Sequence, residues 1–262
     1  MLAIVDKPVI QYLVEEAVSA GITDIHIVLS RGKSAILDHF DTSFELETVL
    51  ERSGKIKQLE SVQKISKLAN ISYIRQPFPR GDGDALLYAL PFLKNEPCLI
   101  LFGDDLIVWE KSGATQLVDA YNQKQLPIIA LEKVSDERVS SYGIIESIQT
   151  DISLHQVSRF LEKPKPSETN SRLGVIGKYI ITPKVFEFLQ KSEWWASKDG
   201  EIRLADAFSN MVNAWEQIYG MEIEWKRYDT GDKLWFLKAN IDFALAREDL
   251  GEQLLAFLKT KI

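Results

Sequence analysis

The fold is decided by residues 8–29, which read PVIQYLVEEAVSAGITDIHIVL. In the first half of this stretch, apolar residues recur at the three- and four-residue spacing of one helix face. Gly21 follows where a helix C-terminus favours glycine, so we predict a helix from about residue 8 to residue 20. The apolar run Ile25–Leu29 then predicts a buried strand, and the unit is a helix that leads into a sheet.

Further strand-like runs follow at Ile71–Ile74, Cys98–Phe102 and Pro127–Glu132. Strands that alternate with helices indicate an α/β fold with a doubly wound, mixed, mainly parallel sheet of the Rossmann-like kind. A helix in front of the first strand also calls for an earlier parallel strand, for which only Leu2–Val5 is available. The helical patterns between the strands cover residues 32–39, 56–68, 85–93 and 115–123.

The pattern changes after about residue 134, where β-like segments are joined by short polar loops instead of helices. This change predicts a β-rich insertion in what remains one domain, with parts at about 1–134, 135–232 and 233–262. The β-like segments are Gly143–Ile148, Gln156–Glu162 and Leu173–Thr182, followed by helical patterns at 183–191 and 202–215, a strand at Met221–Tyr228 and a helical tail from about 233 to 260.

Composition excludes several classes of protein. The chain has 262 residues, 45% of them hydrophobic, which is enough to bury a core. Its 31 Lys and Arg against 38 Asp and Glu give a net charge of −7, which disfavours nucleic-acid binding. We find no signal peptide and no membrane-length apolar run, so we expect a soluble cytoplasmic protein. The chain has one cysteine and three histidines, and their spacing does not match a metal site. Any bound metal is therefore expected to be a hard cation that is held by oxygen atoms.

Two predicted strands end in aspartates. Asp104 and Asp105 follow the apolar run that begins at Cys98, and Asp229 follows the later strand. Ligands of open α/β sheets bind beyond the carboxyl ends of strands, and Mg²⁺ is typically held there by one or two carboxylates and substrate phosphates. Asp104 and Asp229 therefore form a candidate Mg²⁺ pair. The alternative is that Asp104 only caps the next element.

Two further segments have weaker signals. Gly81 and Gly83 lie between a strand and a helix, where backbone amides can approach an anion or a base edge; an ordinary turn is equally compatible with this spacing. Glu162 and Lys163 end a β-like run just before Pro164, which breaks the strand and lets both side chains reach one ligand. The alternative there is a solvated charged turn.

Taken in order, these segments resemble the bacterial UTP:glucose-1-phosphate uridylyltransferases of the sugar-nucleotidyltransferase family. The most specific match is His39–Glu47 (HFDTSFELE), whereas the EKP and DTG elements are shared across the superfamily. The other matching segments are Val5–Pro8, Gln76–Ala85, Gly103–Asp104, Ser141–Gly143, Glu162–Pro164, Gly177–Tyr179, Gly200–Ala207 and Asp229–Asp232.

The resemblance implies that UTP and glucose 1-phosphate are converted to UDP-glucose and pyrophosphate with Mg²⁺ as cofactor. It also implies a nucleotide-binding half (about 1–134), a sugar-binding half (about 135–232), and assembly as a homodimer or homotetramer. For single residues it implies that Gln76 and Gly83 contact uracil, Asp104 and Asp229 hold Mg²⁺, Tyr142, Gly143, Glu162 and Gly177 contact glucose, Lys163 binds the sugar phosphate, and Glu201 and Asp206 lie near the sugar end.

The chain departs from the family pattern at its front. The family begins with a strand, a GxGTR loop and a PKE segment, and Met1 of this chain falls just after that region. Two explanations stay open: Met1 is an internal start of a longer enzyme, or the chain is a shortened form. We favour the first, because losing a central strand leaves its neighbours with unpaired backbone groups. Alternative functions are a weak or silent sugar-nucleotide-binding homologue, or an enzyme that uses dTTP or ATP.

Overall fold

A computed structural model of the chain describes residues 1–108, 110–192, 200–224 and 226–261. The predicted first helix is confirmed as α1 (Val9–Ser19), and Gly21 after it has the φ of +86° that favours glycine. The other helices are α2 (Ser34–Phe40), α3 (Phe44–Arg52), α4 (Ile56–Ile65), α5 (Asp82–Ala89), α6 (Gly113–Lys124), α7 (Pro183–Ser192), α8 (Leu204–Asn213), α9 (Lys233–Leu245) and α10 (Gly251–Lys259). The strands are β1 (Ala3–Ile4), β2 (Lys7–Pro8), β3 (Asp24–Leu29), β4 (Asn70–Arg75), β5 (Cys98–Leu101), β6 (Asp105–Val108), β7 (Ile128–Lys133), β8 (Gly143–Gln149), β9 (Leu154–Glu162), β10 (Leu173–Ile181), β11 (Tyr219–Glu222) and β12 (Lys226–Asp229).

The main sheet has six strands in the order β5-β10-β7-β11-β9-β8. Two-stranded sheets are formed by β3 with β4, by β6 with β12 and by β1 with β2. The α/β class and the β-rich region are confirmed. Among the described residues, parallel pairing occurs only between β3 and β4 and between β7 and β11. The other pairs are antiparallel, and two of them, β1–β2 and β8–β9, are hairpins of consecutive strands.

The front of the chain does not supply the parallel strand that the sequence calls for. Ala3–Ile4 pairs antiparallel with Lys7–Pro8 across a turn in which Val5 has a φ of +60°. Within the described residues, β3 pairs only with β4, and β5 pairs only with β10. Each of these two strands therefore has one edge without a backbone partner.

Two predicted elements are divided. The predicted strand 221–228 forms parts of β11 and β12, which belong to different sheets, and its residue 225 lies outside the described residues. The helical tail ends at Leu245 and resumes at Gly251. In this tail, Trp235 packs against the cluster around Ile4 and Tyr228. Other apolar side chains of the tail are exposed, namely Leu234, Leu237, Ile241, Leu255 and Phe257.

The core lies on both faces of the main sheet. Alternate residues of β7 point to opposite faces. Ile129 and Leu131 belong to the apolar cluster that includes α7 and α8, whereas Ile128 and Ala130 belong to the cluster that includes α6. This packing fixes the strand ends, where the candidate site lies. No described helix is both long enough and apolar enough to cross a membrane.

Candidate active site

A pocket of about 460 Å³ lies beside the middle of β10, just after β5, where β9 and β12 end and where β8 begins. Six of the predicted site residues line it: Asp104, Tyr142, Gly143, Glu162, Gly177 and Asp229. The segments that carry them are far apart in the chain, and they belong to the main sheet and to the small β6–β12 sheet. The remaining lining residues include Asp82, Phe102, Asp105, Arg138, Arg203, Arg227, Asp232 and Trp235.

Asp104 and Asp229 converge on one point. A methyl group placed on Gly231 would lie 3.2 Å from Asp229 Oδ1 and 3.4 Å from Asp104 Oδ2. The pairing of β6 with β12 sets this arrangement, and the Thr230 N–H donates to the Asp104 carbonyl at 2.8 Å. The element after Asp104 is the strand β6 and not a helix, so Asp104 is not a helix cap. The two carboxylates are thus available to a common ligand.

The electrostatics of this pair suit a cation. Desolvation in the pocket raises the pKa of Asp104, and the nearby carboxylates of Asp105 and Asp229 raise it further. A divalent cation between the two carboxylates would relieve this repulsion. The described residues contain no group of three or more His, Cys, Asp and Glu side chains placed to hold a metal by themselves. Two carboxylates with the remaining positions left to phosphate and water are what Mg²⁺ requires.

Asp105 has a different role from its neighbour. It is 3% exposed, and its Oδ1 accepts from Arg227 Nε at 2.5 Å. Its Oδ2 accepts from the N–H of Gly177 at 2.7 Å. Arg227 Nη1 also donates to Glu132 at 2.6 Å and to the Tyr142 hydroxyl at 2.9 Å. A buried network therefore connects Asp105, next to Asp104 in the chain, with Gly177 and Tyr142, which also line the pocket.

The predicted glucose contacts Tyr142, Gly143, Glu162 and Gly177 form the part of the pocket lining that we call the sugar wall. A Cβ on Gly177 would lie 2.7 Å from Phe102 Cβ, and a Cβ on Gly143 would lie 3.1 Å from Phe160. Both positions therefore favour glycine, because a side chain would have to displace an aromatic neighbour. The Tyr142 hydroxyl also accepts from Arg138. Two glycines and a hydroxyl held by two arginines thus line the pocket, as expected for a site that recognises a polar ligand.

Glu162 and Lys163 lie at the rim. Burial raises the pKa of Glu162, although Lys163 and Arg203 act to lower it. The Lys163 N–H donates to the Tyr142 carbonyl at 3.1 Å, and its φ of +45° marks the end of the strand. Lys163 Nζ lies 3.9 Å from Glu162 and its side chain is 63% exposed, so it can reach a ligand at the mouth of the pocket. Unlike Glu162, Lys163 does not line the pocket.

Gln76 and Gly83 lie beside this pocket and do not line it. Gln76 is 7% exposed, and its amide donates to Asp84. The N–H of Gly83 donates to Asp82 Oδ1 and to the Ile202 carbonyl, and a Cβ at Gly83 would lie 2.9 Å from that carbonyl. The glycines at the start of α5 therefore allow the segment that leads into α8 to pack closely.

Glu201 and Asp206 also lie beside the pocket and not in its lining. Glu201 forms an ion pair with Arg203 at 2.9 Å. Asp206, in the first turn of α8, is near enough to Glu162 to contribute to the rise of the pKa of that residue. Arg203 and Ala205 are the residues of this segment that line the pocket.

Sequence reasoning missed the arginines of the site. Arg227 lies within the predicted strand Met221–Tyr228, and the structure shows that it is the centre of the buried network. Arg138 lies outside the matching segments, Arg203 lies within the segment Gly200–Ala207, and Trp235 lies in the predicted helical tail. A signal existed only for Arg227, because a charged residue inside a strand next to an acidic strand end calls for a partner.

Comparison with known proteins points in the same direction. Residues 1–244 match the family model described as nucleotidyl transferase. The chain is 43% identical over 259 residues to a UTP–glucose-1-phosphate uridylyltransferase of Bacillus subtilis (strain 168), and the alignment covers 99% of this chain and 88% of that protein. A protein of the same name from Staphylococcus epidermidis is 42% identical, with 99% of this chain and 89% of that protein covered.

Two solved structures extend this similarity to the fold. A UDP-glucose pyrophosphorylase complexed with UDP-glucose superposes with a TM-score of 0.84 at 34% identity, covering 94% of this chain and 90% of that one. A UTP-bound UGPase from Acinetobacter baumannii gives a TM-score of 0.88 at 30% identity, covering 98% and 90%. These relatives are named for the transfer reaction, which supports an enzyme over a silent binding protein.

Proposed function

The chain belongs to the nucleotidyl transferase family and, within it, to the UTP–glucose-1-phosphate uridylyltransferases, and from this premise we propose that it forms UDP-glucose and pyrophosphate from UTP and α-D-glucose 1-phosphate. The observation that carries the proposal is one pocket that is lined both by the Asp104–Asp229 pair and by Tyr142, Gly143 and Gly177. A nucleotide phosphate and a sugar can meet there.

The reaction requires little covalent chemistry from the protein. A phosphate oxygen of glucose 1-phosphate attacks the α-phosphorus of UTP, and the bond to pyrophosphate breaks. Because the nucleophile is already an anion, no general base is needed, and catalysis rests on alignment and charge neutralisation. Two phosphates that repel each other must be held together, and cationic groups near the pocket reduce this repulsion.

We assign the Mg²⁺ site to Asp104 and Asp229. Their carboxylates both lie close to Gly231, and the raised pKa of Asp104 reflects first its burial and then the neighbouring carboxylates of Asp105 and Asp229. When bound, Mg²⁺ would stabilise the charge that builds up on the phosphates of UTP. The two carboxylates would orient the ion, and Asp105 would not bind it because both of its oxygens are used inside the protein.

We assign sugar recognition to the sugar wall. Glu162 would accept hydrogen bonds from glucose hydroxyls, while Tyr142–Gly143 and Gly177 would shape the wall around the ring. The exposed Lys163 would bind the phosphate of glucose 1-phosphate as a point charge. Glu201 and Asp206 would support this end through Arg203 and Glu162.

We assign the nucleobase to the carboxyl ends of β3 and β4. Gln76 directly follows β4, and its backbone N–H donates to the Leu29 carbonyl at the end of β3 at 3.0 Å. Uracil would contact the Gln76 side chain here. Gly83 would contribute indirectly, because its own N–H is already bonded to Asp82 and Ile202.

The test is pyrophosphate release from UTP and glucose 1-phosphate in the presence of Mg²⁺. We expect turnover by the wild-type chain and a loss of roughly 10²-fold or more in Asp229→Asn, because metal stabilisation contributes several kcal/mol to such a transition state. Asp249→Asn, which alters an exposed ion pair with Arg247, is the matched control and should keep wild-type activity. Absence of turnover by the wild-type chain would contradict the proposal.

A further inference from the structure

The carboxamide of Gln76 is held in one orientation. Its Nε2 donates to Asp84 Oδ2 at 2.6 Å and to the Gly81 carbonyl at 3.3 Å. Both acceptors lack a hydrogen to give, so the nitrogen of the amide must face them. The orientation of this side chain therefore follows from the chemistry of its partners.

Asp84 is in turn held by Arg80. The guanidinium donates through Nε and Nη2 to Asp84 Oδ1, at 3.1 and 2.7 Å, and this leaves Oδ2 for Gln76. Asp84 is 1% exposed, so this contact is formed inside the protein. A chain of three side chains, Arg80 to Asp84 to Gln76, thus has a defined direction of hydrogen bonding.

The oxygen of the Gln76 amide remains available. Among the described residues, Gln76 Oε1 has no hydrogen-bond partner, and it does not belong to the buried polar atoms that lack one. It is therefore a hydrogen-bond acceptor that a ligand can reach. A ligand must donate a hydrogen to it, because the amide cannot rotate without facing oxygen against oxygen at Asp84.

We propose that Asp84, held by Arg80, sets the base preference of the enzyme by fixing Gln76 with Oε1 towards the nucleobase. The inference rests on the proposed function, in which Gln76 contacts uracil. The N3 of uracil carries a hydrogen and donates, whereas the N3 of cytosine accepts. The fixed amide therefore favours UTP over CTP, and Asp84 is a positioning residue because it acts through Gln76.

A purely structural role for Asp84 makes a different prediction. An aspartate in the first turn of a helix stabilises that helix through the helix dipole, and Asp84 is in the first turn of α5. Loss of that effect would lower stability and would reduce activity with all nucleotides equally. The ratio of the UTP and CTP activities separates the two roles.

Asp84→Asn replaces one carboxylate oxygen by an amide nitrogen, so a hydrogen-bond acceptor becomes a donor while the shape of the side chain hardly changes. The donors of Arg80 would hold the Asn oxygen at the place of Oδ1, so the Asn nitrogen would face Gln76. Gln76 would then turn its oxygen towards the Asn nitrogen and its own nitrogen towards the base, and it would lose its longer bond to the Gly81 carbonyl. We expect the UTP-to-CTP ratio of kcat/KM to fall roughly tenfold to a hundredfold, the effect of one mismatched hydrogen bond.

A second substitution should restore the ratio. In Arg80→Met/Asp84→Asn, no guanidinium holds the Asn, which can turn its oxygen to Gln76 and recover the preference for UTP. A general structural defect would not be repaired by removing a further contact. Asp84→Ser, whose hydroxyl can donate or accept, should give an intermediate ratio and serves if the first variant does not fold. Asp119→Asn, in an exposed ion pair with Lys111, is the control.

Calorimetric titration with UTP and CTP provides the same ratio as affinities. An unchanged ratio in folded Asp84→Asn or Asp84→Ser, or a double variant as unselective as Asp84→Asn, would overturn the inference and leave the proposed function intact. A wild-type chain that binds neither nucleotide would overturn both.

Discussion

At the scale of single residues, Asp104 combines a functional advantage with a cost in stability. Desolvation, together with Asp105 and Asp229, raises the pKa of its carboxyl group above the ordinary value. The folded chain therefore holds this proton more tightly than the unfolded chain does. Between the ordinary and the raised pKa, the folded state binds more protons, so stability falls as the pH rises through this window.

Asp104→Asn should therefore stabilise the metal-free protein, and more so at neutral pH than at pH 4. The neutral amide removes the repulsion that the ionised carboxylate meets. Urea denaturation without divalent cations at the two pH values measures the effect. Asp249→Asn should instead lower stability, and more so at neutral pH than at pH 4, because Arg247 holds the pKa of Asp249 below its usual range. A stabilisation by Asp104→Asn that does not depend on pH would contradict this explanation.

At the scale of elements, Glu16 of α1 connects a helix to the sheet. Its Oε2 accepts from Lys178 Nζ on β10 at 2.8 Å, and its Oε1 accepts from the Ala114 N–H in the first turn of α6 at 2.9 Å. The Lys178 side chain is 0% exposed and that of Glu16 is 6% exposed. The pair therefore fixes the position of α1 over β10, directly behind Gly177.

We expect Glu16→Leu to lower the free energy of unfolding by about 3–5 kcal/mol, because it leaves the buried Lys178 charge without a partner. The double variant Glu16→Leu/Lys178→Met removes both charges and should recover a large part of this loss. Urea denaturation of the two variants and the wild type measures the difference. A double variant less stable than Glu16→Leu would show that the ion pair itself is not the source of the loss.

The sequence allowed most elements to be predicted but not all of their pairing. The helix in residues 8–20 and the strand in residues 25–29 follow from local periodicity, and both are found. Strand direction is different, because β7 pairs antiparallel with β10 but parallel with β11, and these contacts depend on chain segments far away. The strand β6 is not predicted, because it follows β5 after a short turn and pairs with the distant β12 in a separate sheet.

The candidate site could also be predicted only in part from the sequence. Asp104 and Asp229 could be named because strand ends and carboxylates are visible in the sequence, and the structure places them side by side. The bond from Arg227 to Asp105 joins residues 122 positions apart, and no local pattern reveals it. Resemblance supplied the roles of Gln76 and Lys163, which remain predictions.

At the scale of the whole molecule, Arg227 joins the small β6–β12 sheet to the main sheet. Its contacts reach Asp105 on β6, Glu132 on β7 and Tyr142 before β8. The small sheet carries the acidic pair, and the main sheet carries the sugar wall. The distance between the two half-sites therefore depends on this guanidinium, together with the bond from the Gly177 N–H to Asp105.

Arg227→Met should raise both the KM for glucose 1-phosphate and the Mg²⁺ concentration needed for half-maximal activity, with a loss of about 10² in kcat/KM for a misplaced site. Arg227→Lys keeps the charge but not the forked geometry, so it should recover only part of the activity. Steady-state kinetics at varied sugar phosphate and Mg²⁺ provide both values. A change in only one of them would show that Arg227 does not couple the two halves.

The edge strand β5 carries the one thiol of the chain, Cys98, which is free and half-buried. Burial raises the pKa of this thiol to about 12, so little of it is the reactive thiolate at neutral pH. Disulfide reagents should therefore label the native protein slowly, and mainly when β5 detaches from β10. The labelling rate therefore measures how often this edge of the sheet opens, and bound nucleotide with Mg²⁺ should lower that rate.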